Sequence, residues 1–153
     1  MMDFSQITEN LFVGTTPQPE NYAILHELGV LLVINMRFER PPYRDPHNPP
    51  IPALWIPSID SPLVPISLRS LQRGTQAALE TIRRGGKVYV HCAGGRHRGV
   101  AMGAAILIAQ GYSPKEAMHL IKDRREAADP DIWYIRRRII RFAQAWDHHA
   151  GSA

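Results

Sequence analysis

The chain has 153 residues, 44% hydrophobic and 21% charged, which fits one globular domain, residues 1–153, and leaves little room for a second. No apolar run is long enough to cross a bilayer, and the N-terminus lacks the layout of a secretory signal, so a cytoplasmic location is expected. The single cysteine, Cys92, excludes an intramolecular disulfide and a four-cysteine zinc site, and the net charge of +4 points toward anionic partners.

Leu11–Gly14 reads as a first short strand, stopped by Gly14 and the Thr15-Thr16-Pro17 that follows. From Pro19 to Leu28, apolar residues recur at helical spacing, with Gly29 as a C-terminal stop. Val30–Met36 is β-branched and apolar on both faces, as in a strand covered on both sides of a sheet. Arg37 to Pro52 is rich in proline and charge and reads as a functional loop. Leu54–Ile56 is a further strand, followed by a second proline-bounded loop through Asp60 to Pro62.

A helix is expected from about Leu68 to Arg84, and Lys87–Cys92 then reads as a central strand. After a glycine-rich turn comes an apolar helix, Val100–Gln110, closed by Gly111. Ser113-Pro114-Lys115-Glu116 predicts a capped helix start. Asp129-Pro130 is expected to open a last helix with Ile132, Ile135, Ile139, Phe142 and Trp146 as its apolar stripe and arginines on its solvated sides. This alternation predicts an α/β fold with a mostly parallel central sheet and helices on both faces.

The segment His91-Cys92-Ala93-Gly94-Gly95-Arg96-His97-Arg98-Gly99 carries the chemistry. A turn between a strand and a helix aims backbone N–H groups inward, and the helix N-terminus adds partial positive charge. Gly94 and Gly95 let the backbone approach an anion closely, and the planar fork of Arg98 can grip two phosphate oxygens. The same field favours the thiolate, the reactive form of cysteine, so Cys92 is the candidate nucleophile.

This loop resembles that of the dual-specificity branch of the protein tyrosine phosphatase superfamily, through His91, Cys92, Gly95 and Arg98. Leu11–Gly14 and the stretch from Leu28 to Asn35 fit the family's N-terminal half. The resemblance implies hydrolysis of phosphate monoesters through a phosphocysteine, with no cofactor and no metal. It makes Asp60 the expected general acid, with Asp45 in reserve, and His91 a support that fixes the loop and favours the thiolate. Ala93, Gly94, Gly95, Arg96, His97 and Gly99 are the expected substrate-binding positions. Where the family usually has Ser or Thr after the arginine, this chain has Gly99, which removes a hydroxyl that helps the sulfur leave.

Arg96 and His97 make the loop more basic, and Gly-Arg-His-Arg resembles the Gly-Lys-His-Arg loop of atypical phosphatases acting on inositol pyrophosphates. Expected substrates are therefore a phosphorylated protein or a polyphosphorylated small molecule or phosphoinositide. A slow-turnover binding module is the alternative. Rhodanese-type sulfur transfer fits poorly because its cysteine-to-arginine spacing is usually shorter. The low-molecular-weight phosphatases place their cysteine near the N-terminus, unlike Cys92. No basic run interleaved with aromatics suggests nucleic-acid binding, and His26, His119, His148 and His149 lack metal-ligand spacing.

Overall fold

The computed structural model describes residues 2–151, with side chains through Asp147. Its elements in chain order are β1 (Phe4–Thr8), β2 (Leu11–Gly14), a 3-10 turn (Pro19–Asn21), α1 (Tyr22–Leu28), β3 (Val30–Arg37), β4 (Ala53–Ser58), α2 (Leu68–Arg83), β5 (Lys87–His91), α3 (Arg98–Ala109), α4 (Pro114–Arg124) and α5 (Trp133–Gly151). The five-stranded sheet runs in the order β1-β2-β5-β3-β4, with β2, β5, β3 and β4 mutually parallel and β1 antiparallel at one edge.

Side chains alternate across the sheet as a strand's period of two requires. Leu11, Val13, Val88, Val90 and Ile34 face the helices α2 to α5, where α3 is buried along almost its whole length. Phe12, Tyr89 and Val33 face the opposite side, covered by Tyr22 and Leu25 of α1 and by Ile51. This two-sided burial explains the continuous apolar runs of β3 and β5. It leaves β5 central, with Cys92 one residue beyond its carboxyl end, where parallel α/β sheets gather ligands.

Several elements depart from the sequence expectation: α1 starts at Tyr22 after a 3-10 turn and α3 already at Arg98. Strand β1 was not expected, because its sequence FSQIT is mostly polar and only Ile7 is buried. Strand β4 runs on through Pro57 to Ser58, which is tolerated because β4 is an edge strand. Helix α5 begins at Trp133 rather than at Asp129. The backbone N–H of Asp129 donates instead to the Arg96 carbonyl, so residues 129–132 serve the glycine-rich loop before the helix starts. The expected stops and caps are present: Gly29 adopts φ 84°, and Ser113 and Glu116 form the reciprocal capping box.

The long loop after β3 is organised by one buried carboxylate. Asp45 Oδ2 lies 2.7 Å from His26 Nε2 and accepts the Ile51 N–H at 2.7 Å. Its Oδ1 lies 2.7 Å from His47 Nδ1 and accepts the His47 N–H at 2.9 Å. Burial pushes the Asp45 pKa up, but the two backbone donors and two imidazoles outweigh it and hold the carboxyl well below the usual range. A carboxylate depressed in the fold stabilises above its unfolded pKa of about 3.9, and that contribution is lost as pH falls toward the folded value. Asp45→Asn should lower the thermal midpoint by about 4–10 °C, from roughly 2–3 kcal/mol of unmatched buried donors. Scanning calorimetry at neutral pH checks this, and the gap between parent and variant should narrow in acid.

Candidate active site

Cys92 is 3% exposed and lines a cavity of about 300 Å³ together with Asp60, Ala93, Gly94, Arg96, His97 and Arg98. Asp129 and Ile132, from the segment before α5, complete the wall. Most of the expected site residues therefore meet in one place. Gly99 sits behind the loop in the first turn of α3, where an added Cβ would lie 3.5 Å from Cys92 Sγ and 3.4 Å from the Cys92 nitrogen.

Gly95 has a structural task. Its φ of 63° lies in the left-handed region, and a Cβ there would stand 2.7 Å from Arg125 Nη2 and 2.9 Å from the Gly14 carbonyl. Arg125, at the end of α4 and 2% exposed, was not foreseen. Its Nε donates to the Gly95 carbonyl at 2.8 Å and its Nη2 to the Gly94 carbonyl at 3.1 Å. The same guanidinium is held by Asp3 at 3.0 and 3.2 Å and by Ser5 Oγ at 3.2 Å.

Arg98 is gripped in turn by Glu39, through Nη1–Oε1 at 2.7 Å and Nη2–Oε2 at 3.0 Å, and its Nη1 also donates to the Ser58 carbonyl at 2.9 Å. Its buried Nε has no partner among the described residues and is left as a donor. The hydrogen bonds from Arg98 are the main reason that the Glu39 pKa falls to about 2. Glu39 was also missed. Its only sequence signal is a carboxylate just past the end of a mostly buried strand, a position shared by many loop residues.

Asp60 is not a solitary carboxyl. The Tyr134 hydroxyl donates to Oδ1 at 2.7 Å, and His97 Nδ1 lies 2.9 Å from Oδ2. On its other side, His97 Nε2 is 3.7 Å from Asp129 Oδ2. Burial raises the Asp60 pKa, but the His97 and Tyr134 hydrogen bonds and the charge of Arg98 turn the net shift downward. Tyr134 moves the other way, up to about 12, through burial and then through Asp60.

His91 is buried, and desolvation drops its pKa to about 3, partly offset by a hydrogen bond to the Cys92 backbone. The imidazole is therefore neutral near pH 7 and brings no positive charge to the sulfur, so the expected help to the thiolate is not electrostatic.

Asp45 does not line the cavity; both its oxygens are committed to the loop, which removes it as the reserve acid. His26, Asp45 and His47 do form a group whose ligand atoms lie within 4.8 Å of one another. The contacts between them are hydrogen-bond contacts of 2.7 Å, with each carboxylate oxygen already occupied twice, so the group fits a loop anchor better than a metal centre. A second cavity of about 340 Å³ adjoins the site at Ala93, with Arg37 in its wall held by Thr16 Oγ1 at 2.9 Å and Glu39 at 3.2 Å.

The model of the dual specificity phosphatase catalytic domain matches residues 11–144. The chain belongs to the dual specificity phosphatase family. It is similar to dual specificity phosphatase 28 of Mus musculus, 27% identical over 132 residues covering 86% of this chain and 78% of that protein. A rat relative, phosphatidylglycerophosphatase and protein-tyrosine phosphatase 1 of Rattus norvegicus, is 41% identical over 75 residues, 48% of this chain and 38% of that protein. A crystal structure of a human DUSP28 variant superposes with a TM-score of 0.83 at 25% identity, covering 95% of this chain and 97% of that one. The phosphatase is accordingly an enzyme of the protein-tyrosine/dual-specificity class, on the α/β fold expected from its sequence. No helix among its described residues is long and apolar enough to cross a membrane.

Glu39→Gln should lower kcat/KM on an aryl phosphate by about 10- to 100-fold, the usual cost of a loosened positioning group. Tungstate binding should weaken in parallel, because the Arg98 fork loses its fixed angle. Since Arg98 holds the Glu39 carboxyl near 2, its contribution is intact above the ordinary value of 4.5 and is lost only as pH falls toward about 2, so the loss on substitution should be constant across neutral pH. Steady-state kinetics and tungstate titration between pH 5 and about pH 8 would check this.

Proposed function

We propose that the phosphatase hydrolyses phosphate monoesters with Cys92 as nucleophile, Arg98 and the loop amides as anion cradle, and Asp60 acting with His97 as the proton donor. The observation that carries this reading is the cavity itself: the chain's one cysteine, a clamped arginine and a hydrogen-bonded carboxylate–imidazole pair share one small space. The Cys92 thiolate forms a bond to phosphorus as the P–O bond to the leaving group breaks. The departing oxygen takes a proton from the Asp60–His97 pair. Charge on the equatorial oxygens is met by backbone N–H groups and the free Nε of Arg98. A water then gives its proton to the same pair and attacks phosphorus, and the thiolate leaves.

The downward shift of Asp60 bears on how the proton is stored. A carboxyl acting alone must be protonated to donate, and hydrogen bonds to its ionised form work against that. The contact with His97 Nδ1 at 2.9 Å keeps the carboxyl in place at the cavity, so that the group which releases the proton in the first step stands where the water must be activated in the second. Asp129 Oδ2 lies 3.7 Å from the far nitrogen of His97, too long for a hydrogen bond, and adds only a negative charge on that side.

A second reading concerns substrate. Arg96 is exposed, its guanidinium has no partner among the described residues, and it borders the same cavity. With Arg37 in the adjoining cavity, it supports a substrate with more than one phosphate or a phosphorylated headgroup. The rat relative named for both lipid and tyrosine phosphate activities is consistent with that reading.

Asp60→Asn should slow alkyl phosphate hydrolysis by about 10²- to 10⁴-fold, yet slow a substrate with a good aryl leaving group much less. Rates across a leaving-group series decide this. Equal losses for good and poor leaving groups would take the proton-donor role away from Asp60.

Gly99 allows a separate test of the second step. It lies in a helix at ordinary negative φ, and the space around it accepts a Cβ at contact distance. Gly99→Ser should therefore fold without strain and place a hydroxyl near Cys92 Sγ. A rapid-mixing trace of the parent should show a burst of leaving group followed by a slower steady state. The variant should raise the steady rate and leave the burst rate unchanged.

A further inference from the structure

Exposed apolar side chains surround the catalytic cavity, each adjacent in sequence to a residue of the site. Phe38 precedes Glu39, Ile59 precedes Asp60, and Trp133 lies between Ile132 and Tyr134. Just after Asp60 the chain makes a tight turn, in which the Leu63 N–H donates to Ser61 Oγ at 3.1 Å and the Val64 N–H to the Ser61 carbonyl at 3.3 Å. Leu63 stands at its tip, 88% exposed, beside Val64 at 47%. Trp133 is 61% exposed and stands edge-on to the Tyr134 ring at 5.8 Å.

These groups protrude. The cavity walls are made by Asp60, Ile132 and the glycine-rich loop, not by Leu63, Val64 or Trp133. Peptide recognition favours clefts into which a partner's side chains insert, whereas here the enzyme's own side chains project outward.

Arg137, Arg138 and Arg141 of α5 lie on the same side, while Arg136 is turned toward α4. Arg138 Nε donates to the Ile66 carbonyl at 2.9 Å, and Tyr134 reaches Asp60, so the N-terminal half of α5 packs along the 59–66 loop. Trp133, Arg137 and Arg141 follow one another at four-residue intervals and share a face of the helix, and both arginines are exposed. Arg137 and Arg141 are close enough to help burial lower the Arg138 pKa. A tryptophan and protruding aliphatics flanked by arginines are what an interface between acyl chains and anionic headgroups accommodates.

We propose that the Leu63 turn, Trp133 and the Arg137–Arg141 face form a docking surface for an anionic lipid bilayer, which places the cavity against phosphorylated headgroups. This rests on the phosphatase reading above for its catalytic consequence, but binding itself does not. Leu63 and Val64 enter the headgroup region, Trp133 lies at its boundary, and Arg137 and Arg141 meet lipid phosphates. The net charge of +4 has the matching sign.

The test compares the full chain with Leu63→Glu and with the double variant Arg137→Glu, Arg141→Glu. Each is sedimented with vesicles of phosphatidylcholine alone and with phosphatidylglycerol added, at low and high salt. Each is assayed on a soluble aryl phosphate, a phosphotyrosine peptide, and phosphatidylinositol 5-phosphate in the anionic vesicles. The parent should sediment with anionic vesicles and not with neutral ones. Leu63→Glu should reduce that partition by about tenfold or more, and the arginine variant should do the same and remove its salt dependence. Both should lose turnover of the vesicle substrate and keep that of the aryl phosphate.

Absence of parent binding to anionic vesicles at low salt overturns the proposal, as does undiminished binding by Leu63→Glu. Loss of phosphopeptide turnover in Leu63→Glu with vesicle binding intact would assign the surface to a protein partner and equally overturn it. A parent inactive on the aryl phosphate counts against the catalytic reading, while sedimentation still decides the docking surface.

Discussion

A loop that turns its N–H groups inward to receive an anion must turn carbonyls outward, and buried carbonyls need donors of their own. In this phosphatase the donor is Arg125, whose guanidinium donates to the Gly94 and Gly95 carbonyls and so fixes the turn where Gly95 is left-handed. The left-handed conformation of Gly95 and the buried arginine are two halves of one arrangement: a side chain at Gly95 would occupy the space that the guanidinium fills. Without that support the loop would present its amides to no common point, and the placing of Cys92 and Arg98 would have little value.

The rest of the site is tied together by the same kind of link, a buried or half-buried charge shared between distant segments. Glu39 joins the loop after β3 to Arg98, while Tyr134 and His97 join α5 and the glycine-rich loop to Asp60. Buried ion pairs add little net stability once desolvation is counted, but removing one partner is costly. Their effect here is geometric. Each fixes the direction of a group whose proposed use depends on angle: the Arg98 guanidinium and the Asp60 carboxyl.

The parts of this arrangement that could be read from sequence are those held together by chain continuity. The strand, the cysteine, the two glycines, the arginine and the helix that follows lie within about a dozen residues, so local stereochemistry suffices to place them. Asp60 could be found only through resemblance to a family, and its partners His97 and Tyr134 could not be paired with it at all. Arg125 and Glu39 look like ordinary surface charges along the chain, and only the fold buries the first and brings the second onto Arg98. The start of α5 was misplaced for a related reason: Asp129-Pro130 has the chemistry of a helix start, but its backbone is engaged by Arg96. Strand β1, mostly polar and on an edge, gave no periodicity to detect.

That edge strand bears on where the catalytic unit ends. Asp3 and Ser5 hold Arg125 from 122 and 120 residues away, and Arg125 holds the loop. The stretch that matches the family begins at residue 11, beyond both of them. A boundary drawn by similarity would thus keep every residue that lines the Cys92 cavity and discard the tether that holds Arg125 against the loop. For this chain the smallest unit with the chemistry and the smallest unit with the architecture are different lengths, and the difference is a few polar residues at the N-terminal side of the sheet.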